Sequence, residues 1–67
     1  MAVARVTKIV GSSPNSWQDA VSEALKRANR TLRNLSGLKV LEHKAKIEGG
    51  KIVEYRATVE VTFILED

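Results

Sequence analysis

The chain has 67 residues, 11 of them basic and 8 acidic for a net charge of +3, with one histidine and no cysteine. Disulfide and thiolate-metal chemistry is thereby excluded, and His43 by itself cannot build a zinc site. The basic excess falls short of the stripe carried by a dedicated nucleic-acid binder, and no apolar run reaches the ~18 residues of a membrane span, so neither nucleic acid nor membrane is an expected partner.

A chain this short buries only about 60% of the surface its unfolded form exposes, and it generally needs help from disulfides, metal or a partner subunit. Self-association is the help that remains. One domain over residues 1–67 is expected. The segment MAVARVTKIV lacks the charged start and long apolar core of a signal peptide, which points to a cytoplasmic protein.

Val3 to Val10 is rich in β-branched residues and stops at Gly11, the pattern of a first strand. Gly11 to Asn15 reads as a loop by composition. Ser16 then opens a helix: its hydroxyl is placed to cap free N–H groups, with Asp19 three residues on in an approximate capping box. Asp19 and Glu23 sit where the positive end of the helix dipole favours them. Trp17, Ala20, Val21, Ala24, Leu25, Ala28, Leu32 and Leu35 recur at intervals of three and four and form one apolar stripe, while Lys26, Arg27, Arg30 and Arg33 lie opposite. Gly37 is the expected left-handed stop. The alanines in the stripe let a sheet approach the helix closely.

Leu38 to Glu48 reads as a second strand whose apolar set changes parity, from Leu38 and Val40 to Leu41, Ala45 and Ile47. Such a change requires an extra residue, so a bulge is expected near Val40. Glu48-Gly49-Gly50-Lys51 is a hairpin turn. From Ile52 to Glu66, apolar Val53, Tyr55, Ala57, Val59, Val61, Phe63 and Leu65 alternate with Glu54, Arg56, Thr58, Glu60, Thr62 and Glu66, the period of a half-buried strand. At a strand's rise this segment spans on the order of 45 Å, too long to lie flat in so small a chain, and is expected to curl. The fold class that follows is α+β: a three-stranded antiparallel sheet, in the order β-α-β-β, wrapped around one amphipathic helix. One face of that sheet is left without cover.

Little in the chain resembles catalytic machinery, and no enzyme is expected. His43 has charged neighbours and reads as a surface histidine rather than a general base. Glu54, Glu60 and Glu66 share a strand face but are spaced about 20 Å apart, which fits a solvated or intersubunit face better than a hydrolytic pair. Gathered around a symmetry axis they could hold a hard cation such as calcium. Gly11-Ser12-Ser13 lacks the spacing and lysine of a P-loop, and ordinary helix capping is the better reading. Trp17 is expected to staple the helix to the sheet rather than to stack on a ligand.

Val10-Gly11-Ser12-Ser13 before the helix, Arg30-Thr31-Leu32-Arg33-Asn34-Leu35 at its close, and Glu54-Tyr55-Arg56 leading into Val59-Glu60-Val61-Thr62-Phe63 together resemble the dodecins over essentially the whole chain. The resemblance implies a β-α-β-β subunit that assembles into a hollow homododecamer of cubic symmetry and sequesters flavins in stacked pairs at subunit interfaces without turning them over. It also implies an altered site. In flavin-binding bacterial members the place of Gly37 holds a tryptophan that stacks on the isoalloxazine ring, and the place of Arg56 holds a glutamine that both donates to and accepts from the flavin's pyrimidine edge. Arginine donates only. Losing one stacked face forfeits roughly 1 to 3 kcal/mol, so with the glutamine also gone flavin binding, whether of FMN or riboflavin, is expected to weaken about a hundredfold or more. Lys44 and Arg56 make an anion a reasonable replacement ligand, and a structural ion, calcium among them, is the other expectation.

Overall fold

The computed structural model describes residues 3–65. Strand β1 (Val3–Ser13) leads into helix α1 (Trp17–Thr31), followed by strands β2 (Leu35–Glu48) and β3 (Lys51–Leu65). The last strand in sequence is central in space, because the sheet order is β1-β3-β2 and both pairings are antiparallel. β1 and β2 are therefore both edges. The expected β-α-β-β sheet wrapped on one helix is the fold found.

Ser16 caps α1 from extended backbone, its Oγ accepting the Asp19 N–H at 2.9 Å. The Asp19 carboxylate does not close a reciprocal box: it accepts the Ser13 hydroxyl at 2.6 Å and the Asn15 side-chain amide at 3.4 Å, tying the helix start to the end of β1. The far end corrects the expectation that Gly37 stops the helix. α1 ends at Thr31, Leu32 is already extended, and Asn34, with φ of 60°, makes the left-handed turn. Asparagine is one of the few non-glycine residues that tolerates that conformation. Leu32 and Leu35 keep helical spacing because both still pack on the core, now from extended chain. Gly37 lies within β2, opposite Thr62.

β1 likewise runs past its expected end. Ser12 and Ser13 pair with Arg56 and Tyr55, so the segment read as a loop starts as strand. Gly11 makes this geometry available: a Cβ there would collide with the Ala20 carbonyl and lie 3.0 Å from the Ala24 Cβ. The helix backbone can sit directly on β1 because that position carries no side chain. At the hairpin, Gly49 and Gly50 both have positive φ (57° and 75°), as a two-residue primed turn demands. The bulge expected near Val40 is present between Val40 and Glu42, and two further register shifts fall at Leu35/Gly37 and Lys46/Ile47.

The core is small. Ala20, Ala24 and Ala28 of α1 and Ala57, Val59 and Val61 of β3 are its buried apolar residues, with Ile9, Val21, Leu32 and Leu35 packed around them. Phe63 is only half-buried, and Val53 and Leu65, at the two ends of β3, are exposed. The reason is length. A helix of 15 residues covers about 22 Å, whereas the 15 residues of β3 run about 50 Å. The expectation that β3 must curl to fit is thus corrected: the subunit measures 52 × 19 × 13 Å and the strand runs along its long axis. Its radius of gyration is 13.8 Å, against about 11 Å for a compact chain of this size. Its accessible surface is 5095 Å², against roughly 4,200 Å² for a compact monomer of this mass. Among the described residues no helix is long and apolar enough to cross a membrane.

Candidate functional site

The sheet presents most of its charged side chains on the face away from α1, and the register sets which of them meet. Arg56 of β3 is flanked by Ser12 of β1 and by Lys44 of β2, forming one rung across all three strands. Directly paired residues share a face. Two of the predicted site residues, Lys44 and Arg56, are therefore brought side by side. The third is not: Gly37 pairs with Thr62, six positions along β3 from Arg56, which is about 20 Å at strand rise.

Lys44, Lys46 and Arg56 are each already matched by a carboxylate of their own strand. The Arg56 guanidinium donates to Glu54 at 3.0 Å, Lys44 stands 3.6 Å from Glu42, and Lys46 stands 3.5 Å from Glu48. The hydrogen bond from Arg56 holds the Glu54 carboxyl below its usual range; burial opposes it, and the Arg56 charge, Ser12 and Lys46 add to the lowering. The rung thus sets two cations side by side, each bordered along its own strand by a carboxylate. Ser12, Ser13, Pro14, Lys46, Val53 and Glu54 line an open depression of about 300 Å³ beside it. Lys46 escaped the sequence reading, although its parity with Lys44 on one strand was the available signal.

The surroundings of Gly37 are open. A Cβ there would meet only the Thr62 side chain, at 3.8 and 4.0 Å, which is ordinary van der Waals contact. Of the carboxylates considered for a cation, Glu54 is taken up by Arg56, Glu60 faces Lys8 and Lys39 in the register, and Glu66 lies outside the described residues. No group of three His, Asp or Glu side chains converges among the described residues of one subunit.

On the opposite, helix-facing side sits an aromatic cluster. The Trp17 indole N–H donates to the Lys44 carbonyl at 2.8 Å. Its ring stacks on His43 (centroids 5.5 Å apart, 24° between planes) and meets Tyr55 edge-on (4.8 Å, 80°). Trp17 is the staple expected of it, and His43 takes its place in that packing.

A last-in-sequence central strand, two open edges and a single helix laid over half of the sheet define a small α+β protein of the β-α-β-β class. The Dodecin family model matches residues 3–66, and the chain belongs to the dodecin family. It is 33% identical over 63 residues to the calcium dodecin of Mycobacterium tuberculosis, a match spanning 94% of this chain and 89% of that protein. It is 35% identical over 65 residues to the dodecin of Thermus thermophilus, spanning 97% and 94%. The crystal structure of the R45A mutant of the T. thermophilus dodecin superposes with a TM-score of 0.95 at 34% identity, covering 100% of both chains. That of the M. tuberculosis protein, a calcium-chelating antigen with a novel calcium-binding site, gives 0.83 at 35% identity, covering 96% and 91%.

Proposed function

We propose that this chain assembles into a homododecameric shell that binds or stores a small molecule in the cytoplasm without turning it over. The observation that carries this reading is the shape of the single subunit. It exposes roughly 900 Å² more than a compact monomer of its mass would, and Val3, Val6, Val10, Leu38, Val40 and Leu65 are among its exposed apolar side chains. Copies of the chain are the cover that a cysteine-free subunit has available. Assembly also offers a way for Gly37 to act on the same ligand as Lys44 and Arg56, because within one subunit they are too far apart.

The family's flavin is the first ligand to consider, and the residues support a weakened and altered version of its site. Gly37 offers no stacking face. Arg56 brings donors where the flavin's N3–H needs an acceptor, and its guanidinium is engaged by Glu54. A phosphate suits Lys44 and Arg56 better than a ring edge does, since both groups only donate. FMN is therefore expected to bind more tightly than riboflavin, with a margin that shrinks as salt rises.

A second reading is favoured by the calcium dodecin relative: a shell whose role is structural or interactive, with a cation held between copies by Glu54, Glu60 or Glu66. Native mass measurement followed by equilibrium dialysis separates the readings. The first expects about 89 kDa for twelve copies of a 7.4 kDa chain and saturable FMN uptake. A monomer would overturn both. An intact shell that ignores flavin but loses thermal stability on chelation would establish the second in place of the first.

A further inference from the structure

We infer that Trp17 is the positioning residue of the Lys44–Arg56 rung, gripping it from the helix side of the sheet so that the two cations are held on the other. The inference rests on reading that rung as the ligand-facing part of the site, and its test is arranged so that the two can fail separately.

β2 is an edge strand, so only β3 holds its register. Lys44 lies between two register shifts, Val40/Glu42 on one side and Lys46/Ile47 on the other. A short edge segment bounded by bulges is the part of a sheet most able to slip, and a slip of one residue would turn Lys44 to the helix side. α1 packs chiefly on β1 and β3 and reaches this segment through Trp17. The indole N–H takes the Lys44 carbonyl, and the ring lies on His43 and against Tyr55. His43 and Tyr55 are the chain neighbours of Lys44 and Arg56. Because neighbouring strand residues point to opposite faces, fixing His43 and Tyr55 against the indole fixes Lys44 and Arg56 outward.

Trp17 is itself well placed to act as an anchor. It is the first residue of α1, beside the Ser16 cap, and the Ser13–Asp19 hydrogen bond ties that helix start to β1. Its grip therefore joins β2 to the far edge of the sheet through the helix rather than through β3. Aromatic packing alone would not specify register. The ring supplies adhesion, and the single directional N–H selects which carbonyl of the edge is met.

The test uses the assembled protein. Hydrogen exchange is followed in Trp17→Phe, which keeps a ring and loses the donor, with Val59→Ala as a control that loosens the core away from the rung. Trp17→Phe is expected to speed exchange of the amides from His43 to Lys46 by up to about tenfold, the scale of one lost hydrogen bond, while the amides of Val59 and Val61 are unchanged. FMN affinity measured by dialysis should fall several-fold in Trp17→Phe and hold in Val59→Ala. Unchanged exchange at residues 43–46, or acceleration spread evenly over the sheet, overturns the inference. Should FMN fail to bind the parent protein, the ligand reading fails and the exchange pattern alone decides. If Trp17→Phe does not fold, the indole proton of the unmodified protein serves instead: slow exchange is expected, and exchange at the rate of a free surface indole refutes the grip.

Discussion

Replacing Gly37 with tryptophan tests the proposed ligand site through its stacking energy. The backbone there has no positive φ, and a new Cβ would meet the Thr62 side chain at ordinary contact distance, so the substitution has room. A glycine inside a strand also weakens it, so an aromatic replacement should leave stability unchanged or raise it by up to about 1 kcal/mol. If a ligand ring lies against this position in the assembly, one stacked face adds roughly 1 to 3 kcal/mol, which corresponds to an affinity gain of about 5- to 150-fold. Equilibrium dialysis of FMN and riboflavin is the assay, with Gly37→Ala as the control that removes glycine's flexibility without adding a ring. Both flavins should gain, riboflavin as much as FMN, because stacking is indifferent to the phosphate. Equal affinities for the alanine and tryptophan variants, with assembly mass and melting temperature intact, would refute the placement of Gly37 at the ligand.

Three further outcomes follow from the packing and the charges. Gly11→Ala should cost about 1 to 3 kcal/mol or more, read as a fall in denaturant midpoint, because the added methyl group meets the rigid Ala20 carbonyl rather than a side chain that can move. Val59→Ala, in the fully buried centre, should lower subunit stability by about 2 kcal/mol from lost transfer energy and the cavity left behind; Phe63→Ala, at a half-buried position, should act mainly on assembly mass, and the reverse order of effects would show the core is wrongly placed. Hydrogen bonds from Ser13, then Asn15, lower the pKa of Asp19, so its stabilising contribution is complete above the unfolded value near 3.9 and is lost as pH falls through the lower folded value. Acid melting curves of Asp19→Asn should accordingly be flatter below about pH 4 than those of the parent, and parallel curves would remove Asp19 from the account.

The elements were legible where one physical signal acted alone. The alternation from Val53 to Leu65, the glycine pair of the hairpin, the serine cap and the parity change at Val40 each reflect a local constraint, and each lies where the pattern placed it. The boundaries that moved are those where two signals coincide. Leu32 and Leu35 keep helical spacing because the core wants apolar side chains there, whichever backbone delivers them. Serines at the end of β1 look like a loop until a partner strand supplies Arg56 and Tyr55 to pair with.

The site divides in the same way. The residue types were visible in the chain: a glycine at position 37, donors without acceptors at Lys44 and Arg56, and a lone tryptophan at the helix start. Sequence determined the fold class and that inventory, because periodicity, turn chemistry and side-chain donors are properties of short stretches. Only the tertiary structure decided that Lys44 and Arg56 share a rung, that Glu54 already occupies Arg56, that Gly37 stands about 20 Å away, and that Trp17 reaches across to β2. Those facts depend on strand register and bulges, which are settled by contacts between residues distant in the chain and leave no period in it.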